Sequence, residues 1–290
     1  MRAGGLQTAR AGVLTTVQDL GRAGYAHLGV PRSGALDAGA HRLANRLLGN
    51  PETAATLETT LTGCAVRALR PTVAAVTGAP CPVRVDGRPA AWGQPVHVPA
   101  GAVLDVGAAT HGVRSYLAFD GGVDADPVLG SRATDLLSGL GPAPLREGGV
   151  LGLGAPPAHR PAGCCDAAAW TAPPRELLLP VVLGPRHDWF TSGGLRTLLT
   201  CGYRVSAASN RIGLRLEGPA LERAGEGELA SEGMPLGAVQ VPPEGRPVIF
   251  LADHPTTGGY PVVGVVPAEA LDVAAQAPPG TPVRFTPAGA

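Results

Sequence analysis

PVRVDGRPAAWGQPVHVPAGAVLDV, residues 82–106, decides how the fold is read. Val83 and Val85 alternate into Asp86-Gly87, a dipeptide that tolerates positive φ and so favours a tight hairpin turn. Residues 96–106 continue as apolar stretches broken by proline and glycine, which is strand grammar. Working outward, SYLAF (115–119), LLLPVVLG (177–184), YRVS (203–206), LRLEG (214–218), AVQVP (238–242), PVIFLA (247–252) and PVRFTP (282–287) repeat it. Glycine (42) and proline (30) make about a quarter of the 290 residues, a share that approaches disordered composition. They fall singly or in pairs between apolar runs, however, as turn residues do. With 4 Phe, 4 Tyr and 3 Trp, the core must be built from Val, Leu and Ala.

Helices are few. Leu36, Ala40, Leu43, Ala44 and Leu47 recur at helical spacing, which places the main helix at 37–49, capped by Ser33 or Asp37 and ended by Gly49. Asn50-Pro51-Glu52 reads as the cap and first turn of a short second helix, and another begins at Pro267. The division expected is an N-terminal β-rich lobe over 1–160 and a C-terminal lobe over 175–290, joined by a proline-rich connection at 154–176. A faint echo between GSRATDLLSGLGP (130–142) and SNRIGLRLEGP (209–219) raises the question of an internal duplication.

Charge excludes several classes. All 23 basic residues are arginine, balanced by 23 acids, so there is no basic face for nucleic acid or anionic membrane. Without lysine the chain has no Schiff-base, phosphate-loop or biotin-carrying lysine of its own. No uncharged stretch reads as a membrane span. MRAGGLQTAR lacks the apolar region of a signal peptide, and the five cysteines include the adjacent Cys164 and Cys165, unsuited to an ordinary mutual disulfide. A reducing cytoplasm is the expectation. GxSxG, GxGxxG, GxxxxGK[ST] and HExxH are all missing, and His27, His41, His97, His111, His159, His187 and His254 are dispersed, so no metal site is expected.

Polar residues concentrate instead in three glycine-rich clusters. TTVQDLGRAGYAHLGVPRSGALD (15–37) holds Gln18, Asp19, Arg22, Tyr25, His27, Ser33 and Asp37. A purely structural account would pair Asp19 with Arg22 and leave Ser33 or Asp37 to cap. ASEGMPLGAVQVPPEGRPVIFLADHPTTGGYP (230–261) holds Glu232 and Gln240, then Asp253, His254, Thr256, Thr257, Gly258, Gly259 and Tyr260 at the exit of an apolar strand. Loops leaving buried strands commonly carry chemistry; a polar hairpin end is the structural alternative. In SNRIGLRLEG (209–218), Asn210, Arg211 and Arg215 could bind a carboxylate or phosphate.

These clusters, in order, resemble a known family. GVLTTVQDLGRAGYAHLGVPRSGALD (12–37) and HRLANRLLGNPETAATLETTLTG (41–63) resemble the start of the group comprising the C subunit of 5-oxoprolinase, the KipA proteins and allophanate hydrolase subunit 2. SYLAFDGGVDADPVLGSRATDL (115–136), SNRIGLRLEGPAL (209–221) and LASEGMPLGAVQVPPEGRPVIFLADHPTTGGYPVVGVV (229–266) continue the likeness. Leu36 stands where the family usually has methionine, a volume-conserving change. The resemblance implies a mainly β chain of two cyclophilin-like β-barrel lobes with a few short helices. Prolyl isomerase activity is not expected from so aromatic-poor a chain.

Three functions follow from the resemblance. The first is a component of an ATP-dependent 5-oxoprolinase, which opens 5-oxo-L-proline to L-glutamate with a KipI-like partner (its B subunit) and a LamB/YcsF-type partner (its A subunit). The second is a carboxyltransferase of the allophanate hydrolase or urea carboxylase type, with biotin supplied in trans. The third is a KipA-like regulator that binds a kinase inhibitor. In the two enzymes a resonance-stabilised carbonyl must be attacked, so charge developing on its oxygen needs stabilisation. Arg22, Arg211, Arg215 and the N–H groups of Gly258-Gly259 are the candidate donors, and Asp19, Asp37 or Glu232 the candidate bases. Gln18, Ser33, Asn210, Gln240, His254, Thr256, Thr257 and Tyr260 complete the candidate substrate site. ATP is assigned to the complex rather than to this chain.

Overall fold

A computed structural model describes residues 4–157, 167, 168, 172, 174–225, 227 and 229–288. The Cys164-Cys165 pair, His159 and much of the 154–176 connection lie outside the described residues. The chain divides into two compact units. Unit 1 comprises Met1–Arg22, Asp37–Asp135 and Gly139–Ala172; unit 2 comprises Ala23–Leu36, Leu136–Ser138 and Pro173–Ala290. Chain order alone would give 23–36 and 136–138 to the N-terminal lobe. They belong to unit 2 because Ser33 N donates to Ala252 O (3.0 Å) and Leu136 N to the Asp253 carboxylate (3.1 Å).

Unit 1 is two sheets. One runs in the order Val123–Asp124, Val150–Leu153, Gly4–Arg10, Cys64–Ala68, Val103–Val106, Val83–Val85, Arg88–Ala90. The other runs Leu14–Gln18, Thr56–Thr60, Arg114–Phe119, Thr72–Gly78, Val96–Val98. Leu6, Val17, Leu57, Leu104, Leu117 and Phe119 fill its core. The expected hairpin forms at Asp86-Gly87, both at positive φ (+47° and +76°). Residues 96–106 are two strands rather than one: Gly101, at φ +82°, turns the chain and donates its N–H to Ala68 O.

Helix α1 (Ala38–Leu48) starts where Asp37 accepts the Ala40 N–H at 2.8 Å and stops at Gly49 in the left-handed region. Replacing Asp37 by alanine removes that acceptor and is expected to cost about 1 kcal/mol in urea unfolding, as lost N-caps do. No helix forms at Asn50-Pro51-Glu52. The Asn50 side chain is instead drawn to Phe119 O (2.8 Å) and the Gly121 N–H (3.0 Å), and the strand Thr56–Thr60 follows.

Unit 2 closes into a seven-stranded barrel: Leu177–Leu183, Val262–Val265, Ala238–Gln240, Val248–Phe250, Gly213–Glu217, Tyr203–Val205, Pro282–Pro287. Closure comes from Leu177–Leu183, which pairs antiparallel with Val262–Val265 and parallel with Pro282–Pro287. Leu179, Val181, Leu216, Ile249 and Phe285 lie in its core, with Tyr203 edge-on to Phe285 at 5.9 Å. Two helices accompany the barrel, α2 (Ser192–Thr200) and α3 (Ala268–Ala275), the latter behind Pro267 as expected. The stretches 130–142 and 209–219 fold differently, since only the second contains a strand. Among the described residues, no helix is long and apolar enough to cross a membrane.

Candidate functional site

In unit 2 the 23–36 loop meets the ends of two barrel strands. Arg211 leads into Gly213–Glu217, and Asp253 lies just past Val248–Phe250; the two residues are fully buried. Asp253 receives the guanidinium bidentately, Nε to Oδ2 at 2.9 Å and Nη2 to Oδ1 at 3.0 Å. Ser33 Oγ donates to Oδ1 at 2.7 Å and Leu136 N to Oδ2, while Arg211 Nη2 also donates to Gly34 O at 2.7 Å. Ser33 stands at φ +52°, a conformation that a non-glycine residue keeps only when its surroundings impose it. Here the Ala252 carbonyl and the Asp253 carboxylate impose it. The expected carboxylate fork of Arg211 is therefore occupied from within the protein.

Beside it, His254 stacks on Phe250 (5.8 Å between rings, 12° apart), and its Nδ1 lies 2.8 Å from Pro255 O. Glu232–Gly233 pairs with Thr257–Gly258, Met234 N donates to Thr256 O, and the Gln240 amide donates to Tyr260 O. The two ends of the 230–261 cluster are thus joined. A side chain at Gly258 would stand 2.8 Å from the Gln240 amide nitrogen, so glycine permits this close approach. Thr257, Gly259 and Tyr260 are exposed. Glu232 is held by Arg186, whose Nε lies 2.9 Å and 3.0 Å from the two carboxylate oxygens. That pairing holds the Glu232 carboxyl below its usual range and makes it a weaker base. Asn210 closes a local turn by accepting the Ile212 and Gly213 N–H groups, and Arg215 points to solvent.

In unit 1 the polar groups are sunk deeper. Asp19 accepts from Ser131 Oγ (2.6 Å), Arg132 N (2.6 Å) and Gly21 N (2.8 Å). Arg22 does not pair with it. Arg22 is 2% exposed and, among the described residues, donates to backbone carbonyls, Nε to Val128 O at 3.4 Å and Nη2 to Ala133 O. Its Nη1 has no acceptor among the described residues. Gln18 is fully buried, its amide nitrogen on Thr134 O (2.9 Å) and its Oε1 without a donor among the described residues. Asp37 caps α1.

Sequence reasoning missed a buried network beside α1. Tyr116 donates to Glu58 at 2.8 Å and accepts the Asp37 N–H at 2.8 Å, and Arg114 lies 3.8 Å from Glu58. His41 stands between Thr56 Oγ1 (2.9 Å) and Glu52 O (3.0 Å), and burial lowers its pKa and favours the neutral ring. The available signal was Glu58 alone, a carboxylate inside the strand Thr56–Thr60. Burial pushes the Cys64 thiol up to about 12, which rules it out as a nucleophile at neutral pH. Among the described residues, no three His, Cys, Asp or Glu side chains gather as a metal site.

Comparison with known proteins places this architecture. The chain is 37% identical over 285 residues to the C subunit of 5-oxoprolinase from Escherichia coli, covering 97% of this chain and 90% of that one. It is 33% identical over 297 residues to the urea amidolyase of Saccharomyces cerevisiae, covering 95% of this chain but 16% of the relative. The crystal structure of the K. lactis urea amidolyase superposes with a TM-score of 0.91 at 29% identity, over 100% of this chain and 19% of that one. A family model described as carboxyltransferase domain, subdomain A and B, matches residues 28–287. Spanning the barrel, the buried Arg211–Asp253 pair and unit 1 from Asp37 onward, that match shows that the chain belongs to the carboxyltransferase-domain family, subdomains A and B.

Proposed function

We propose that the chain is a component of an ATP-dependent 5-oxoprolinase. The observation that carries this reading is the extent of the match: the Escherichia coli protein is covered almost end to end, whereas the urea amidolyases are covered over about a sixth. In the proposed reaction, water oxygen adds to the lactam carbonyl of 5-oxo-L-proline, the ring C–N bond breaks, and nitrogen leaves as the amine of L-glutamate. ATP supplies the driving force. A KipI-like chain and a LamB/YcsF-type chain are the proposed partners, in the cytoplasm, and ATP is assigned to the complex they form with this chain.

The carboxyltransferase likeness supports a second reading, transfer of a carboxyl group from biotin to a urea-like acceptor. These 290 residues contain no lysine, so biotin would have to be carried outside them. Avidin separates the two. In the reconstituted complex, ATP-dependent glutamate release from 5-oxoproline is expected to be unchanged by excess avidin. Loss of activity with avidin, together with urea-stimulated ATP consumption, would overturn the first reading in favour of the second.

A further inference from the structure

One row of side chains runs across the outer face of the barrel in unit 2. Leu214, Ile249, Val239 and Val263 turn into the barrel core, so the residues that alternate with them on the same strands face outward. The register sets Arg215 beside Val248, Val248 beside Gln240, and Gln240 beside Val262. Val248 and Val262 join Met234, Ala238 and Phe250 in a small apolar cluster separate from the barrel core. Gln240 lies among them at 8% exposure, and Arg215 stands exposed at the end of the row.

Both polar groups of the row are underused. Gln240 Nε2 meets the Met234 thioether at 3.9 Å and Tyr260 O at 3.4 Å, a weak acceptor and a long bond. Among the described residues its Oε1 has no donor. Unlike the Oε1 of Gln18, it is not sealed from solvent. Buried carboxamides ordinarily satisfy both ends. The Arg215 guanidinium has no partner among the described residues, since its hydrogen bonds with Ser209 run through the backbone. Gly258 brings bare backbone over the amide, where a Cβ would stand 2.8 Å from Nε2, and Thr257, Gly259 and Tyr260 beside it are exposed.

We propose that this row binds a lactam acid: Gln240 pairs with the ring amide, Val248 takes the methylene face, and Arg215 takes the carboxylate. Ring closure holds a lactam amide cis, so its N–H and C=O point the same way and match the C=O and N–H of a carboxamide in two hydrogen bonds. Neighbouring strands stand about 4.8 Å apart, which sets Gln240 and Arg215 about 10 Å apart at the backbone, a span that two long side chains close from either side of Val248. The identity of the acid as 5-oxoproline rests on the function proposed above; the site rests on Gln240 and Arg215.

Calorimetric titration of the full chain, in its complex, tests this with 5-oxo-L-proline, 2-pyrrolidinone (the same ring without the carboxylate) and cyclopentanecarboxylate (a ring acid without the amide). Gln240→Leu is expected to weaken both lactams about 10-fold and leave cyclopentanecarboxylate unchanged. Arg215→Gln is expected to weaken both acids about 10- to 100-fold and leave 2-pyrrolidinone unchanged. An equal loss for all three probes in either variant, no loss in either, or no binding of 5-oxo-L-proline by the wild type would overturn the proposal. Arg215→Gln alters an exposed side chain, so it decides the matter if Gln240→Leu does not fold. Undiminished glutamate release with unchanged KM in both variants would overturn the site while leaving the 5-oxoprolinase reading intact. The split pattern of affinities without glutamate release would support the site while counting against that reading.

Discussion

Replacing Asp253 by alanine is expected to destabilise unit 2 by about 3–5 kcal/mol, because it leaves the Arg211 charge buried and uncompensated. Ser33 Oγ and Leu136 N lose their acceptor in the same step, and Ser33 loses a contact that helps hold its positive φ. For a chain of this size the melting temperature should fall on the order of 10 °C. Arg211→Ala should cost a similar amount by stranding the carboxylate. The double change Arg211→Met with Asp253→Leu should cost less than either single change, since removing both charges removes the burial penalty with them. Thermal unfolding of the three variants checks this. A stable Arg211→Ala protein that has lost only substrate binding would return Arg211 to the role the sequence suggested, a fork for a ligand carboxylate.

That contrast marks where the sequence was legible. Local rules read well: Asp86-Gly87 makes its hairpin, Asp37 and Gly49 bound α1, and Pro267 starts α3. Each depends on residues within a few positions of one another. Helix α2 was missed because Gly193 and Gly194 argue against a helix. Tertiary packing explains the second glycine, where a Cβ would press on the Glu222 backbone, and Thr191 supplies the cap by accepting the Gly194 N–H. The residues 50–52 misled for the opposite reason, since Asn50 spends its amide on groups near residues 119–121 rather than on a new helix. Pairings across 42 and 220 residues, Arg211 with Asp253 and Ser33 with Asp253, have no local signature at all. Polarity marked the clusters only as candidates. It could not distinguish an arginine already matched, such as Arg211, from one left without a counter-ion, such as Arg22.

The central claim is that this chain is one necessary part of a multi-component 5-oxoprolinase, and here the expected effect is all or none. Leu178, Val182 and Leu183 are exposed on one barrel strand at 60%, 54% and 41%, apolar surface that a partner chain could cover. A stable contact of that kind would need to bury at least about 1,200 Å² in all. The direct measurement is ATP-dependent release of glutamate from 5-oxo-L-proline by this chain alone, by the KipI-like and LamB/YcsF-type chains alone, and by the three together. The account predicts turnover only in the complete mixture. Full turnover from the isolated chain, or undiminished turnover when it is omitted, would contradict it.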